Sequence, residues 1–152
     1  TMGADLDGIG LQSPSFFVWA VRDAFTAPLQ RVQVIKGFVD PNGNPQEQVF
    51  DVACSDGGMP DADTYRCPDN NAKVDIASCA FSQDVGAAEL KTFWTDPTFE
   101  VTQRAFYYVR ALENPTCRWS TWDALRNNVE PRSDITKTIQ ERVWSSPIHY
   151  IP

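Results

Sequence analysis

Apolar residues in this chain come in short runs with a period of two, and that period is what most limits its fold. Gln46 to Cys54 alternates cleanly, with Phe50, Val52 and Cys54 on one face and Glu47, Val49 and Asp51 on the other. Successive strand residues point to opposite faces, so this pattern specifies a half-buried strand. Leu29 to Asp40 starts the same way, with Val32 and Val34 expected inside and Arg31 and Gln33 outside. Its alternation breaks at Ile35-Lys36-Gly37, where a β-bulge would re-phase Phe38 and Val39. Between the two runs, Asp40-Pro41-Asn42-Gly43-Asn44-Pro45 is turn chemistry, because proline pre-sets φ and Asn-Gly supplies positive φ. The pair reads as a β-hairpin.

Other segments extend the pattern. Phe16 to Val21 is aromatic and β-branched, too short for a helix, and reads as a strand covered on both faces. Gly86 to Trp94 resumes the alternation, with Ala88, Leu90 and Trp94 together. Ala105 to Leu112 is rich in Tyr, Phe and Val, which suit a pleated surface. Glu141 to Ile148 reads as a last strand, with Pro147 implying an edge or an irregular end. Helix is confined to two short pieces. Asp96-Pro97 suggests a helical turn within 97–104. Ser120-Thr121-Trp122-Asp123 has the form of a capping box opening a helix over 120–128. The expected fold is one all-β domain spanning 1–152. It is an antiparallel β-sandwich, immunoglobulin-like or related, with two short helices and a long cysteine-containing loop.

That loop, residues 55–84, is rich in Asp, Asn, Gly and Pro. A loop of this length in a compact domain needs a function or a pin. The cysteines Cys54, Cys67, Cys79 and Cys117 are the candidate pins. None of them forms the close C-x₂₋₄-C pair of a structural zinc site. The even count fits two disulfides in an oxidising compartment, periplasmic or secreted; the alternative is four reduced cysteines buried as small hydrophobes. The expected connectivity pairs Cys67 with Cys79 and Cys54 with Cys117.

The chemistry visible in the residues is sparse. The net charge of −7 argues against a nucleic-acid partner, which would need clustered Lys and Arg. No apolar run approaches the roughly 18 residues of a membrane span. The single histidine, His149, has no ligand or base at local spacing and reads as a partly buried strand residue. Asp56, Asp61, Asp63, Asp69, Asn70, Asn71 and Asp75 are hard oxygen donors for Ca²⁺, but Tyr65 breaks the EF-hand pattern, so a solvated, stapled loop is preferred. Trp19, Trp94, Trp119, Trp122 and Trp144 with Tyr107 and Tyr108 suggest either a sugar-stacking platform or core packing, and core is preferred. Arg104, Arg110, Arg118 and Arg142 are expected to pair with Glu113, Asp123 or Glu141. No phosphate loop, G-x-S-x-G or H-E-x-x-H motif is present.

Three stretches carry a family resemblance: Gln103 to Arg110, Glu113 to Ala124, and Thr138 to Arg142 continuing into Trp144-Ser145-Ser146-Pro147-Ile148. They resemble the C-terminal end of a bacterial family of unknown function, DUF3604. Met2-Gly3-Ala4-Asp5-Leu6 resembles a segment of that family just after a hydrolase-like core. The likeness is strongest over Gly86–Tyr150 and Val32–Val52, and the cysteine-rich loop is its least supported part. His149 stands where the family is expected to have an aromatic residue. The resemblance implies an upstream domain similar to the PHP (polymerase and histidinol phosphatase) metallohydrolases, which would hold the divalent metal; no cofactor and no catalytic residue is assigned to this chain. It further implies that the chain is a fragment, a non-catalytic accessory domain packing on that catalytic domain in the same polypeptide. Met2 and Leu6 with Trp119 and Trp122 are the candidate interface residues. An extracytoplasmic module binding carbohydrate or calcium is the alternative.

Overall fold

A computed structural model gives the fold; residues 1–7 and 12–152 are described. In chain order the elements are β1 (Asp5–Asp7), β2 (Ser15–Val21), β3 (Leu29–Val39), β4 (Pro45–Cys54), β5 (Val74–Asp75), β6 (Ala80–Phe81), β7 (Glu89–Thr95), β8 (Ala105–Glu113), β9 (Thr116–Cys117), α1 (Trp119–Arg126), β10 (Thr138–Ile139), β11 (Arg142–Trp144) and β12 (Ile148–Ile151). The main sheet runs β1-β12-β8-β3-β4, with β11 also paired to β8. β2 and β7 form a second, two-stranded sheet, and β5–β6 and β9–β10 are small ribbons. The architecture is a sandwich-like all-β fold. One pairing departs from the antiparallel expectation, since β1 runs parallel to β12.

The core lies between the main sheet and β2–β7. Val32 and Val34 of β3, Ala105, Tyr107 and Ala111 of β8 and Tyr150 of β12 meet Val18 and Leu90 from the second sheet. Trp94 packs among Phe16, Phe50 and Tyr107, with ring centroids 5.0 to 6.5 Å apart. Burying an aromatic side chain removes about 150–250 Å² from water, so this cluster is a substantial apolar contribution to the fold.

Several expectations need correction. The helix placed at 97–104 is a run of turns closed by a Gln103 N–H to Glu100 carbonyl bond. Asp96 caps Thr98 as expected, at 2.8 Å, but its other oxygen is committed to the core and no helix follows. The second helix starts at Trp119 without a capping box. Its Thr121 hydroxyl instead donates to the Lys137 carbonyl at 2.8 Å and ties α1 to the strand after it. The single last strand is two strands, separated where Ser145 N–H bonds to the Val109 carbonyl.

The bulge lies at Val32/Gln33 rather than at Ile35-Lys36-Gly37. Register holds through Gly37 because Phe106 lays its ring over that residue, and a Cβ there would collide with it. The extra residue at the bulge is Val52 of β4, so β3 keeps its phase; Gln33 meets a buried polar cluster, and is covered and not outside. Its amide donates to Asp51 at 2.6 Å, and Arg110 donates to its carbonyl oxygen at 2.7 Å.

The cysteines are paired, but as Cys54–Cys67 and Cys79–Cys117. The loop leaving β4 turns straight back along that strand, which brings Cys67 beside Cys54. There Asp51 N–H bonds to the Tyr65 carbonyl, Arg66 donates to the Val49 carbonyl, and Cys67 N–H donates to the Asp51 carboxylate. The loop thus covers the edge of β4, an exposed row of backbone groups that would otherwise invite another chain. Further along, Asn70 links Gln30, Ser55 and the buried Asn114, while Asp56 accepts the Gly86 N–H.

Proteolytic mapping without reduction is expected to recover Cys54 joined to Cys67 and Cys79 joined to Cys117. Replacing Cys54 and Cys67 together with serine should cost about 2–4 kcal/mol by chemical denaturation, the usual effect of opening a loop of this size. Light scattering should also show more self-association, as the β4 edge is released.

Candidate interaction surface

β2 and β7 alternate faces in step. Phe16, Val18 and Ala20 with Leu90 and Trp94 face the core, while Phe17, Trp19 and Val21 with Glu89, Lys91 and Phe93 face solvent. Cross-strand register makes three outer pairs: Phe17 with Phe93, Trp19 with Lys91, and Val21 with Glu89. The two phenyl rings are 4.8 Å apart. Phe93 is 80% exposed, Trp19 60% and Val21 65%. The polar members pin one another: Lys91 donates to Glu89 at 2.9 Å and the Trp19 indole donates to it at 3.1 Å. Those two hydrogen bonds, Lys91 first, hold the Glu89 carboxyl below the usual range. The run Phe16–Val21 is therefore covered on one face only. Its unbroken apolarity signals a second face that water does not favour.

Beside this face lies a trench of about 880 Å³. β2 forms one wall and Arg142, Val143 and Trp144 the other, with Val34, Val109 and Ala111 lining it between and Thr1 and Met2 at its border. Val143 and Trp144 are exposed.

The candidate interface residues separate. Met2 is 68% exposed and borders the trench. Leu6 is partly buried, paired with Tyr150 in β1–β12 and packed on the core. The remainder of the Met2–Leu11 segment, residues 8–11, lies outside the described residues. Trp119 and Trp122 sit on α1, away from the trench lining; Trp119 is exposed, and Trp122 stacks under the Arg126 guanidinium at 5.4 Å. The tryptophans do not form one platform, because Trp94 belongs to the core and only Trp19 and Trp144 face the trench.

The other polar candidates are placed as follows. His149 is exposed on β12, with its ring 6.2 Å from Phe106, and it lines a smaller pocket of about 390 Å³ with Arg104 and Glu47. The loop aspartates are turn formers: Asp61, Asp69 and Asp75 each accept a backbone N–H two residues on. The Thr64 N–H chiefly holds the Asp61 carboxyl low and the Ser78 hydroxyl the Asp75 carboxyl, with the bonds two residues on adding to the effect. Among the described residues no group of three or more His, Cys, Asp and Glu is placed to hold a metal ion. The expected arginine–carboxylate pairs are not made. Arg110 goes to Gln33, Arg118 to the Thr136 carbonyl and Arg142 to the Gln140 carbonyl.

A family profile described as "Protein of unknown function (DUF3604)" matches residues 1–152. The chain belongs to the DUF3604 family. No curated protein and no solved structure matches it.

One buried group of this DUF3604 domain combines charge with complete enclosure. Lys36 lies 2.7 Å from Asp96, and both side chains are almost wholly buried. Lys36 also donates to the Thr98 carbonyl at 2.7 Å, and Tyr107 donates to Asp96 at 2.8 Å. Every charge has a partner and none reaches a pocket, so this is a structural cluster that sequence periodicity concealed. Burial, then the bond to Asp96, pushes the Tyr107 hydroxyl well above the ordinary tyrosine range. The unfolded chain ionises this tyrosine near pH ~10 and the folded chain does not. Its contribution is therefore fully present below that pH and is lost as pH rises. A pH series of denaturation curves is expected to fall less steeply above pH ~10 in Tyr107→Phe than in the parent, by about one proton's worth of slope. Removing one ionic partner, in Asp96→Ala, should cost about 3–5 kcal/mol.

Proposed function

We propose that this DUF3604 domain is a non-catalytic accessory β-sandwich of a PHP-like metal-dependent hydrolase, and that it packs on the catalytic domain through the outer face of β2–β7. The observation that carries the reading is the ladder of Phe17, Phe93, Trp19 and Val21 exposed side by side. Monomers rarely leave a contiguous apolar patch above a few hundred Å² uncovered. Aromatic residues of this kind supply most of the binding energy where two surfaces meet. In this reading the divalent metal and the reaction belong to the upstream domain, while this domain contributes stability and shapes the cleft. The two disulfides suit a periplasmic or secreted protein.

A carbohydrate ligand is the second reading. The exposed Trp19 ring, with Glu89 and Lys91 beside it, has the mix of stacking surface and hydrogen-bonding groups that a sugar uses. The adjoining Phe17–Phe93 pair favours a protein surface, since those rings offer a sugar no polar group.

Phe93→Ser in the full-length protein separates the two. The docking reading expects the domain's own stability to change little, within about 0.5 kcal/mol for an exposed site. It expects association between the domains to weaken by on the order of 2 kcal/mol, as at a central aromatic contact. Limited proteolysis would show the join between the domains becoming accessible. Unchanged association, together with oligosaccharide binding lost in Trp19→Ala, would overturn docking in favour of the sugar.

A further inference from the structure

The second layer of the sandwich is narrower than the first. The main sheet has six strands, whereas the second sheet, among the described residues, has two, β2 and β7. Hydrogen-bond parity shows which way β2 faces. Arg22 N–H bonds to the Ala88 carbonyl and Asp96 N–H to the Pro14 carbonyl. Bonded pairs alternate along an antiparallel ladder, so Phe16, Val18 and Ala20 bond to β7. The N–H and C=O groups of Ser15, Phe17, Trp19 and Val21 then point the other way, along the trench wall, and β2 pairs with no other described strand.

Other edges in this fold are guarded. The loop at Tyr65–Cys67 covers β4, β7 carries Glu89 and Lys91, and β1 is three residues long with two aspartates. β2 has seven residues in unbroken register, with no charge, proline or bulge. An open apolar edge of that length is a site for strand addition.

The geometry points to the trench as an acceptor site for one extended strand, supplied by the stretch of the same polypeptide immediately N-terminal to Thr1. This rests on the reading above that the domain is part of a longer polypeptide. Thr1 and Met2 border the trench, so chain preceding them enters it directly. A tethered strand also has a high effective concentration, which a free peptide lacks. Alternate side chains of the incoming strand would cover Val34, Val109 and Ala111, and the intervening ones would extend the aromatic face beside Trp19.

Hydrogen exchange on the full-length protein tests this. Val18 and Ala20, bonded to β7, serve as internal standards. The amides of Phe17, Trp19 and Val21 are expected to be protected on the order of 100-fold or more over an unstructured chain. Replacing the residues just before Thr1 by a Gly-Ser stretch of equal length should abolish that protection and leave Val18 and Ala20 unchanged. Free exchange at Phe17, Trp19 and Val21 while Val18 and Ala20 remain protected would overturn the proposal. So would protection that survives the Gly-Ser replacement, or that appears only as protein concentration rises, since the latter marks a second copy. Phe93 lies on β7, away from this edge. If Phe93→Ser weakens domain association while the edge amides exchange freely, docking stands and strand addition fails; the converse result leaves the strand and removes the docking face.

Discussion

The Lys36–Asp96 pair is the joint between the two layers. Lys36 stands on β3 in the centre of the main sheet, and Asp96 follows β7 at the end of the second sheet. Two charges taken out of water are stabilised only if nearly every polar atom finds a partner. Here the Thr98 carbonyl, Thr98 N–H and the Tyr107 hydroxyl provide those partners. Satisfying them places Pro97–Thr98 against β3 and fixes where β7 lies over the main sheet. The Phe16–Phe50–Trp94–Tyr107 cluster then has one arrangement rather than several. Apolar packing alone would let a two-stranded layer slide on a wide sheet; the ion pair gives it a register.

The loop after β4 solves a different problem by similar means. It carries few large apolar side chains, so burial cannot hold it. Disulfides fasten it at Cys54–Cys67 and Cys79–Cys117, and between them Asn70, Asn114 and Asp56 form a polar centre. A Cβ at Gly86 would meet Pro28 and Asn114, and that residue has φ +99, so glycine is needed where the loop rejoins the sheet. In return the loop closes the edge of β4. The fold therefore guards one side of its main sheet with a covalent strap and leaves the side of its second sheet at β2 open.

The strands were readable in the sequence because period two is a local property. Gln46–Cys54 and Ala105–Leu112 are both strands, and the Asp40–Pro45 turn joins the expected hairpin, although the two-face alternation of Gln46–Cys54 breaks where Phe50 and Asp51 are both buried beside the register shift. What failed was non-local. Lys36 was placed in a bulge and the enclosure of Asp51 was not foreseen, because their partners, Asp96 and the backbone of Cys67, are distant in sequence. The capping box at Ser120–Asp123 failed because the helix begins at Trp119 with Arg118 as its N-cap residue, which puts Ser120 inside the first turn. The cysteine connectivity depends on the loop doubling back beside β4, which spacing does not encode. The candidate site was readable in part. The aromatics of Phe16–Val21 stood out, but their unbroken apolarity suggested two covered faces. Only the pairing with β7 shows that one face and one edge are free.

That asymmetry connects fold to role. In a sandwich with matched layers, each edge of the second sheet lies over an edge of the first. Here β2 ends above the middle of the main sheet, with β8 and β11 continuing past it. Val109 and Ala111 thus belong to an inner face, yet they line a trench. The solvent face of Phe17, Trp19 and Val21 and the trench floor are the two sides of the same unfinished layer. Covering the first by a neighbouring domain and filling the second by a strand leading from it would be one act of docking. Exposed apolar surface of this shape is thus better understood as an incomplete core than as a binding site added to a complete one.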